Sequence, residues 1–485
     1  MRFSIGLVLA MVLFVVGALT FGPTPPTYED FGYVALLAGF STYLILVIFL
    51  EYRRKDLVSP LALFFGALLL YFGLSAILYY DRDFFVNKLN RDYYINGILF
   101  VIAFTIVFHV TYVLLRRGFP TVRRSAPRPW IEGNLTIAIA VLLLAGWIGR
   151  LHIVEIGQYL HSGIEAANFL GIQAANIGAW RFAEQLPDFA GWMAWIHYLH
   201  LEKIGTRSIK WRTIAITLLL LNLIYWVPTA WKLPIAQSVI VPFILAYLTF
   251  RKLPKLPYMI GGGAFLGVMF PLTYIYRNAQ QALLGHNTLS IGFAGMFSIL
   301  QNSFAYVDTV NTIGANNRLF GRLDEYEVMS GAVRLISEGR MGMRFGTDYF
   351  NAIVNLIPRA IWPDKPFVMY GNEFGHLVGM LGKTDTGTSI ASTLLGEAYL
   401  NFAEFGVVVG ALLAAIYYFF FRQIYVNRSV ETGRVLYAFV TPTVLYIDSS
   451  FALNFSALLQ AGVFLFIVGW LVSEPIRIRF RSSAA

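Results

Sequence analysis

Apolar runs of about 20 residues recur along this chain, and each is long enough to cross the hydrocarbon of a bilayer as a helix. Lipid cannot satisfy backbone polar groups, so a segment within the bilayer must be helical or part of a closed barrel. The chain has 485 residues, of which 57% are hydrophobic and 13% charged. Soluble domains carry about 25% charged residues. The sequence therefore predicts an all-α, polytopic transmembrane protein.

About twelve spans are predicted from these runs. They lie near 3–21, 32–50, 57–80, 94–115, 134–150, 187–203, 212–229, 232–250, 257–276, 395–421, 433–448 and 455–473. The first run follows Arg2 as in a signal peptide, but its length and the lack of a small-residue cleavage motif favour a retained anchor. The chain has no cysteine, which excludes disulfides and thiolate metal sites.

Positive charge is distributed unevenly between the connecting segments. With the N-terminus inside the cell, the inside segments hold 22 of the 37 lysines and arginines, and the short outside segments hold six. The remaining nine fall between Arg277 and Lys383. Because short cytoplasmic loops are enriched in Lys and Arg, both termini are expected in the cytoplasm. The net charge of +10 then reflects topology, and no nucleic-acid partner is expected.

Two outside segments are longer than simple connections. Residues 151–186 have apolar positions at helical spacing among polar ones, which predicts amphipathic helix at the outer interface. Residues 278–389 carry further short amphipathic patterns, and a segment of this length is generally functional or disordered. The predicted organisation is a transmembrane bundle over 1–277, a large external loop over 278–389 that carries the site, and three C-terminal spans over 390–485.

Familiar catalytic motifs are absent from the sequence. The string GMLGKT resembles the end of a phosphate-binding loop, but Leu377 stands where its first glycine should be. The chain has no G-x-S-x-G and no H-E-x-x-H. Few ionisable residues fall within predicted spans, which argues against an ion-coupled transporter. The spans are therefore expected to be a scaffold.

The stretch from 334 to 376 concentrates arginine, glycine and aromatic residues. Arg340 and Arg344 stand beside Gly339 and Gly342, and paired guanidinium groups suit a phosphate-like anion. The alternative is that these arginines are ordinary salt-bridged or interfacial residues. In a helix, Arg334 would pair with Glu338 four residues later.

Three strings in this region resemble a known family. They are NLIPRAIWPDKP, YGNEFGH and TGTSIASTLLGEAYLNFAEFGVVVGAL. Together they resemble the bacterial oligosaccharide repeat-unit polymerases, the Wzy-type polymerases of O-antigen and exopolysaccharide. The motifs cover about residues 340–412, and the span count with one dominant external loop extends the similarity more loosely.

The resemblance implies an enzyme of the bacterial cytoplasmic membrane that acts on its outer side. Such enzymes transfer a growing glycan from undecaprenyl diphosphate to an incoming lipid-linked repeat unit, without metal or cofactor. The expected partners are the lipid-linked glycans, membrane lipid, and a chain-length regulator and flippase in the same membrane.

Site residues carried over by the resemblance fall into three groups. The diphosphate-binding candidates are Arg277, Arg340, Arg344, Arg359 and Lys365. The acceptor-activating base is His376 or, failing it, Glu338, since histidine is the commonest general base. The glycan-contacting candidates are aromatic residues that interfacial packing explains equally well, namely Tyr349, Trp362, Tyr370 and Tyr399.

Two other functions stay open at this point. An O-antigen ligase or another lipid-dependent glycosyltransferase has a similar build and differs in its acceptor. A flippase or transporter of lipid-linked glycan is a different class, and it would require a charged central cavity.

Overall fold

The computed structural model describes residues 28–54, 56, 58–74, 88–119, 130–155, 180–229, 232–252, 256–284, 325–354, 357, 362, 371–382, 390–426, 431–445 and 447–473. Within these ranges every regular element is a helix and no strand occurs. The all-α prediction is confirmed for this part of the chain.

The helices are numbered here in chain order. They are α1 (Tyr28–Arg53), α2 (Pro60–Leu68), α3 (Lys88–Gly118), α4 (Glu132–Glu155), α5 (Leu186–Lys203), α6 (Ile209–Trp226), α7 (Lys232–Phe250), α8 (Leu256–Leu284), α9 (Glu325–Ser337), α10 (Thr347–Val354), α11 (Gly371–Val378), α12 (Leu394–Phe402), α13 (Gly406–Val426), α14 (Glu431–Leu445) and α15 (Phe451–Ser473). A π-helical turn, Leu69–Leu74, continues α2, and 3-10 turns follow α6 and α12.

Seven helical segments among the described residues are long and apolar enough to cross a membrane. They are Ala35–Arg53, Asp92–Gly118, Glu132–Glu155, Ile209–Thr229, Leu233–Phe250, Leu394–Tyr425 and Asn454–Ser473. The run predicted at 257–276 lies within α8, and the described part of the run at 57–80 forms α2 and its π-helical turn; neither is among the seven. The runs at 187–203 and 433–448 form α5 and α14, which are not among the seven.

These helices are those of a membrane protein, as predicted, and the number of twelve spans stays a prediction. The predicted first span, 3–21, lies outside the described residues, and so do residues 156–179, which are most of the predicted amphipathic segment 151–186. The predicted domain boundaries after residues 277 and 389 depend on which side of the membrane each segment occupies, and they likewise stay predictions.

The chain forms two compact units, each drawn from separate stretches. The first takes its residues from Met1–Thr121, Thr312–Gln423 and Thr443–Ala457. The second takes them from Val122–Asn311, Ile424–Pro442 and Leu458–Ala485. The stretch with the densest candidate chemistry, 334–376, therefore belongs to the first unit.

Contacts within the first unit define the directions of its helices. Phe100 and Phe104 of α3 lie against Gly406 and Gly410 of α13, each at 3.2 Å from the position a Cβ would take. The two helices therefore run in the same direction and begin at the same end of the unit. Helix α9 packs at that end, where the Met329 side chain lies 3.2 Å from the Cβ position of Gly97 in α3.

A cluster of charges occupies the opposite end of the first unit. Glu51, whose side chain is 2% exposed, pairs with Arg54 at 2.5 Å and with Arg116 at 3.3 Å. Ser59 donates a hydrogen bond to the same carboxylate at 3.1 Å. The ends of α1 and α3 thus meet the start of α2 here, which also makes α1 and α3 parallel.

The predicted span 395–421 is interrupted in the structure. A 3-10 turn, Ala403–Phe405, separates α12 from α13, and Ala403 has a φ of +48°, which is unusual for a residue with a side chain. Gly406 and Gly410 lie directly against Ala398, so α12 packs back on the first turns of α13. Helix α13 has 21 residues and is about 32 Å long, enough to cross the hydrocarbon by itself.

We expect Gly410→Ala to destabilise the protein. An added Cβ would meet the Ala398 Cβ and the Phe104 ring, and overpacking of this kind costs about 1–3 kcal/mol. Gly39→Ala is the matched control, because Gly39 is also helical and has nothing within 4 Å of its Cβ position. Thermal unfolding in detergent measures both variants, and equal unfolding temperatures would contradict the close packing of α12 on α13.

Candidate functional site

The carboxylate of Asp348 links the arginine-rich turn to helix α12. Asp348 is fully buried, and Arg344 Nε donates to its two oxygens at 2.9 and 2.8 Å. Asn401 Nδ2 donates to Asp348 Oδ2 at 2.7 Å. The Asn401 Oδ1 accepts the backbone N–H groups of Gly346 at 3.1 Å and Asp348 at 3.4 Å. A single buried asparagine of the GEAYLNF string therefore fixes the start of α10.

Backbone hydrogen bonds hold the preceding turn on the same helix end. The N–H of Arg344 donates to Leu400 O at 3.1 Å, and that of Phe345 donates to Asn401 O at 3.0 Å. Gly339 and Gly346 have φ of +65° and +83°, a region that glycine adopts without a steric penalty. Gly339, one of the two glycines noted beside the arginines in the sequence, thus shapes the turn, together with Gly346.

Two arginines hold the end of α11, the helix that carries His376. Arg340 Nη2 donates to Leu377 O and Arg334 Nη2 donates to Val378 O, both at 3.0 Å. The last carbonyls of a helix have no partner within the helix, and cations stabilise its negative end. The arginines therefore fix the position of His376, which is half-buried.

Glu338 lies beside the same arginines. Its carboxylate is 3.6 Å from Arg340 Nη1 and accepts a hydrogen bond from Tyr93 at 3.4 Å. The predicted pair between Arg334 and Glu338 does not form, because α9 ends at Ser337 and Arg334 turns to α11. The structure thus brings Glu338 and Arg340 together at the end of the His376 helix.

A small cavity lies between α3, α9 and α11, and we call it the arginine cleft. Its volume is about 50 Å³, and its walls are Tyr93, Glu327, Ser330, Gly331, Arg334, Val378 and Met380. Arg334 Nε is buried and has no hydrogen-bond partner among the described residues. Desolvation raises the pKa of Glu327 above its ordinary value. The cleft is thus a polar recess with one cationic side chain in its wall.

Two of the predicted glycan-contacting tyrosines pack within the first unit. The Tyr349 ring stacks on Phe402 with a centroid distance of 5.8 Å and lies 5.0 Å from Phe451. Tyr399 is 4% exposed, and its ring meets Phe100 edge-on at 5.2 Å. Tyr399 therefore has no free face for a sugar in this structure.

The other predicted site residues are not gathered here. Trp362 is 41% exposed. Arg277 lies in α8 of the second unit, and its side chain is outside the described part of the structure. Arg359, Lys365 and Tyr370 also fall outside the described residues.

Sequence reasoning missed a buried ionic network in the second unit. Arg150 is 1% exposed, donates from Nε to Glu184 O at 3.1 Å, and pairs with Asp188 at 3.4 Å. Its guanidinium also lies 4.1 Å from the centre of the Tyr225 ring, and Arg181 pairs with Glu184 at 2.8 Å. The charged residues of this network each lie near the end of an apolar run. Charged residues are common at such positions, so the sequence does not predict that these are buried together. The nearest signal in the sequence is the pair of acids Glu184 and Asp188, which lie four residues apart at the start of the predicted span 187–203.

Known proteins give no guide to this arrangement. No family model, curated protein or solved structure matches the chain. Among the described residues no group of three His, Asp or Glu side chains could hold a metal ion. The resemblance to repeat-unit polymerases therefore stays a prediction.

We expect Arg344→Ala to destabilise the protein and Arg340→Ala to leave its stability nearly unchanged. Loss of Arg344 leaves a buried carboxylate, which costs about 2–4 kcal/mol after allowance for the exposed part of the guanidinium. The Arg344 side chain is 24% exposed and that of Asp348 is 1% exposed. Arg340 is 46% exposed, and its pair with Glu338 is worth below about 1 kcal/mol.

Thermal unfolding of both variants in detergent tests this difference. Arg344→Ala combined with Asp348→Asn should recover part of the loss, because the neutral amide leaves no buried charge. Equal losses for the two single variants would contradict the structural role of Arg344.

Proposed function

We propose that this chain is a glycosyltransferase of the bacterial cytoplasmic membrane that polymerises undecaprenyl-diphosphate-linked repeat units on the outer face. The observation that carries the proposal is the pair of arginines, Arg334 and Arg340, that hold the His376 helix beside the arginine cleft. Cations, a general base and a membrane scaffold are the parts that transfer from a lipid diphosphate requires.

The distribution of charge supports the outer face for this reaction. Helix α3 runs from Tyr93 at the cleft to Arg116 and Arg117 at the opposite end of the first unit. The paired Arg54 lies at that same end. Because basic residues mark the cytoplasmic side, the cleft end would face outward and both termini would lie in the cytoplasm.

The reaction needs stabilisation of a leaving diphosphate. The bond between the donor's anomeric carbon and the phosphate oxygen breaks, and the diphosphate leaves with the electron pair. An acceptor hydroxyl oxygen forms the new bond to that carbon and gives its proton to the base. Preorganised donors at the developing charge are often the largest catalytic contribution. The lipid-linked donor supplies the energy, so no nucleotide is needed.

The contacts assign different roles to the arginines within this proposal. Arg344 is neutralised by Asp348 and positions the turn, whereas Arg340 is half-exposed and uses one carbonyl and one carboxylate contact. Arg340 is therefore the foremost diphosphate ligand among the described residues, with Arg334 beside it. Arg277, Arg359 and Lys365 remain diphosphate candidates from the resemblance. A chain-length regulator and a flippase are proposed as partners.

A strain that lacks this chain tests the function, with its glycans resolved by size. We expect single repeat units to accumulate, and the wild-type gene to restore polymer. Loss of glycan transfer to its final acceptor, with polymer still made on the lipid, would support a ligase instead. Unpolymerised and polymerised glycan both unchanged would contradict the proposal.

In that strain Arg340→Ala should lower polymer formation about 10²–10³-fold, because one preorganised cation is lost from the leaving group. Arg340→Lys should recover little, since an ammonium cannot make a two-pronged contact with a phosphate. Arg117→Ala is the matched control, because this exposed arginine lies at the opposite end of α3. Full activity of Arg340→Lys at normal protein level would exclude a two-pronged contact between Arg340 and the diphosphate.

We expect His376→Ala to lower the turnover of purified protein about 10²–10⁴-fold, the usual contribution of a general base. The KM for lipid-linked substrate should change little, because the side chain acts on the proton and not on binding. If His376→Ala turns over at the wild-type rate, Glu338 becomes the candidate base. The Glu338→Gln variant would then decide whether either residue is the base.

A further inference from the structure

Helix α10 carries large apolar side chains on a face that is mostly exposed. Its residues Asp348, Asn351, Ala352 and Val354 are buried in the first unit. On the opposite face Phe350 is 65% exposed and Ile353 is 59% exposed. Three further apolar side chains of the flanking segments are exposed as well, namely Met343, Phe345 and Ile357. A clustered apolar surface of this kind marks a contact with another molecule or with membrane.

Phe345 is presented outward by a constrained backbone. Its φ is +46°, a conformation that is uncommon for a bulky residue, and its side chain is 76% exposed. The hydrogen bond from its N–H to Asn401 O at 3.0 Å holds it in this position. Residues in such strained conformations cluster at functional sites. In water the Phe345 ring would be exposed while its backbone is held in a strained conformation.

The position of α10 relates this surface to the ends of two membrane spans. Phe345 is bonded to the end of α12, and α13 begins five residues after Asn401. Ala352 O accepts a hydrogen bond from Ser456 at 3.1 Å, three residues into the last candidate span, Asn454–Ser473. The exposed residues of α13 recur every four positions as an apolar stripe, Val408, Leu412, Ile416 and Phe420, and exposed Phe405 precedes them. The surface of α10 therefore lies beside the first residues of two candidate spans.

We infer that Phe345, Phe350 and Ile353 insert into the edge of the bilayer hydrocarbon, with α10 lying along the membrane surface. The occupant is lipid because the largest exposed side chains of this surface are apolar and the surface is held beside the first residues of spans whose own exposed faces are apolar. Amphipathic helices bury such a face at the boundary between head groups and acyl chains. The inference does not depend on the proposed reaction. It would set the turn that carries Arg340 at the level of lipid head groups.

The absence of cysteine from the chain allows a direct test of depth. Phe345→Cys, Phe350→Cys and Ile353→Cys are each made in the full chain, labelled with a nitroxide and reconstituted in phosphatidylethanolamine–phosphatidylglycerol vesicles. Power-saturation EPR then compares collisions with oxygen, which partitions into lipid, and with a water-soluble nickel chelate. We expect oxygen to dominate at all three positions. Glu373→Cys, an exposed polar position on α11, is the control and should favour the nickel chelate.

Two other outcomes would overturn the inference. Nickel access equal to that of Glu373→Cys would mean that the face is in water. An immobilised nitroxide that neither reagent reaches would mean that a protein, such as a second copy of the chain, covers α10. Phe350→Cys and Ile353→Cys decide the test if Phe345→Cys does not fold, since neither replaced residue has a strained backbone.

Discussion

Asp348 accepts hydrogen bonds from Arg344 and Asn401 while fully buried, and the geometry of the site depends on this interaction. A buried carboxylate is stable only when its charge is paired and its oxygens are hydrogen-bonded. The pairing fixes both ends of the segment 344–348 against α12. It thereby sets the position of the turn that begins at Glu338 and the direction in which α10 leaves it.

Packing of backbone against backbone gives that interaction a rigid support. Gly406 and Gly410 allow α12 to lie on α13, and Phe100 and Phe104 of α3 fill the adjoining space. Because α3 and α13 start at one end of the first unit, the arginine cleft sits at the mouth of two membrane spans. The basic residues around Glu51 lie at the other end. The same helices therefore place the arginine cleft and the Glu51 cluster at opposite ends of the first unit.

The two sides of the segment 344–354 have different roles. The inner side carries buried polar groups that order the turn, and the outer side carries Phe345, Phe350 and Ile353. A lipid-linked substrate has its reactive phosphate at head-group level, so an enzyme acting on it needs cations at that depth. Arg340 on a turn anchored in this way would meet the requirement without a deep aqueous cavity.

The sequence by itself determined the class of protein, since recurring apolar runs of this length are typical of membrane helices, and it singled out 334–376 and the GEAYLNF string as unusual. It could not assign the arginines. Arg340 and Arg344 are alike by spacing, yet one faces solvent and the other pairs with Asp348. It also predicted one unbroken span where α12 folds back on α13, because hydropathy does not register a break made by Ala403 and two glycines. Only the tertiary structure decided these points, because partner choice depends on residues distant in the chain, such as Asn401 for Asp348 and Val378 for Arg334, that folding brings within hydrogen-bonding distance.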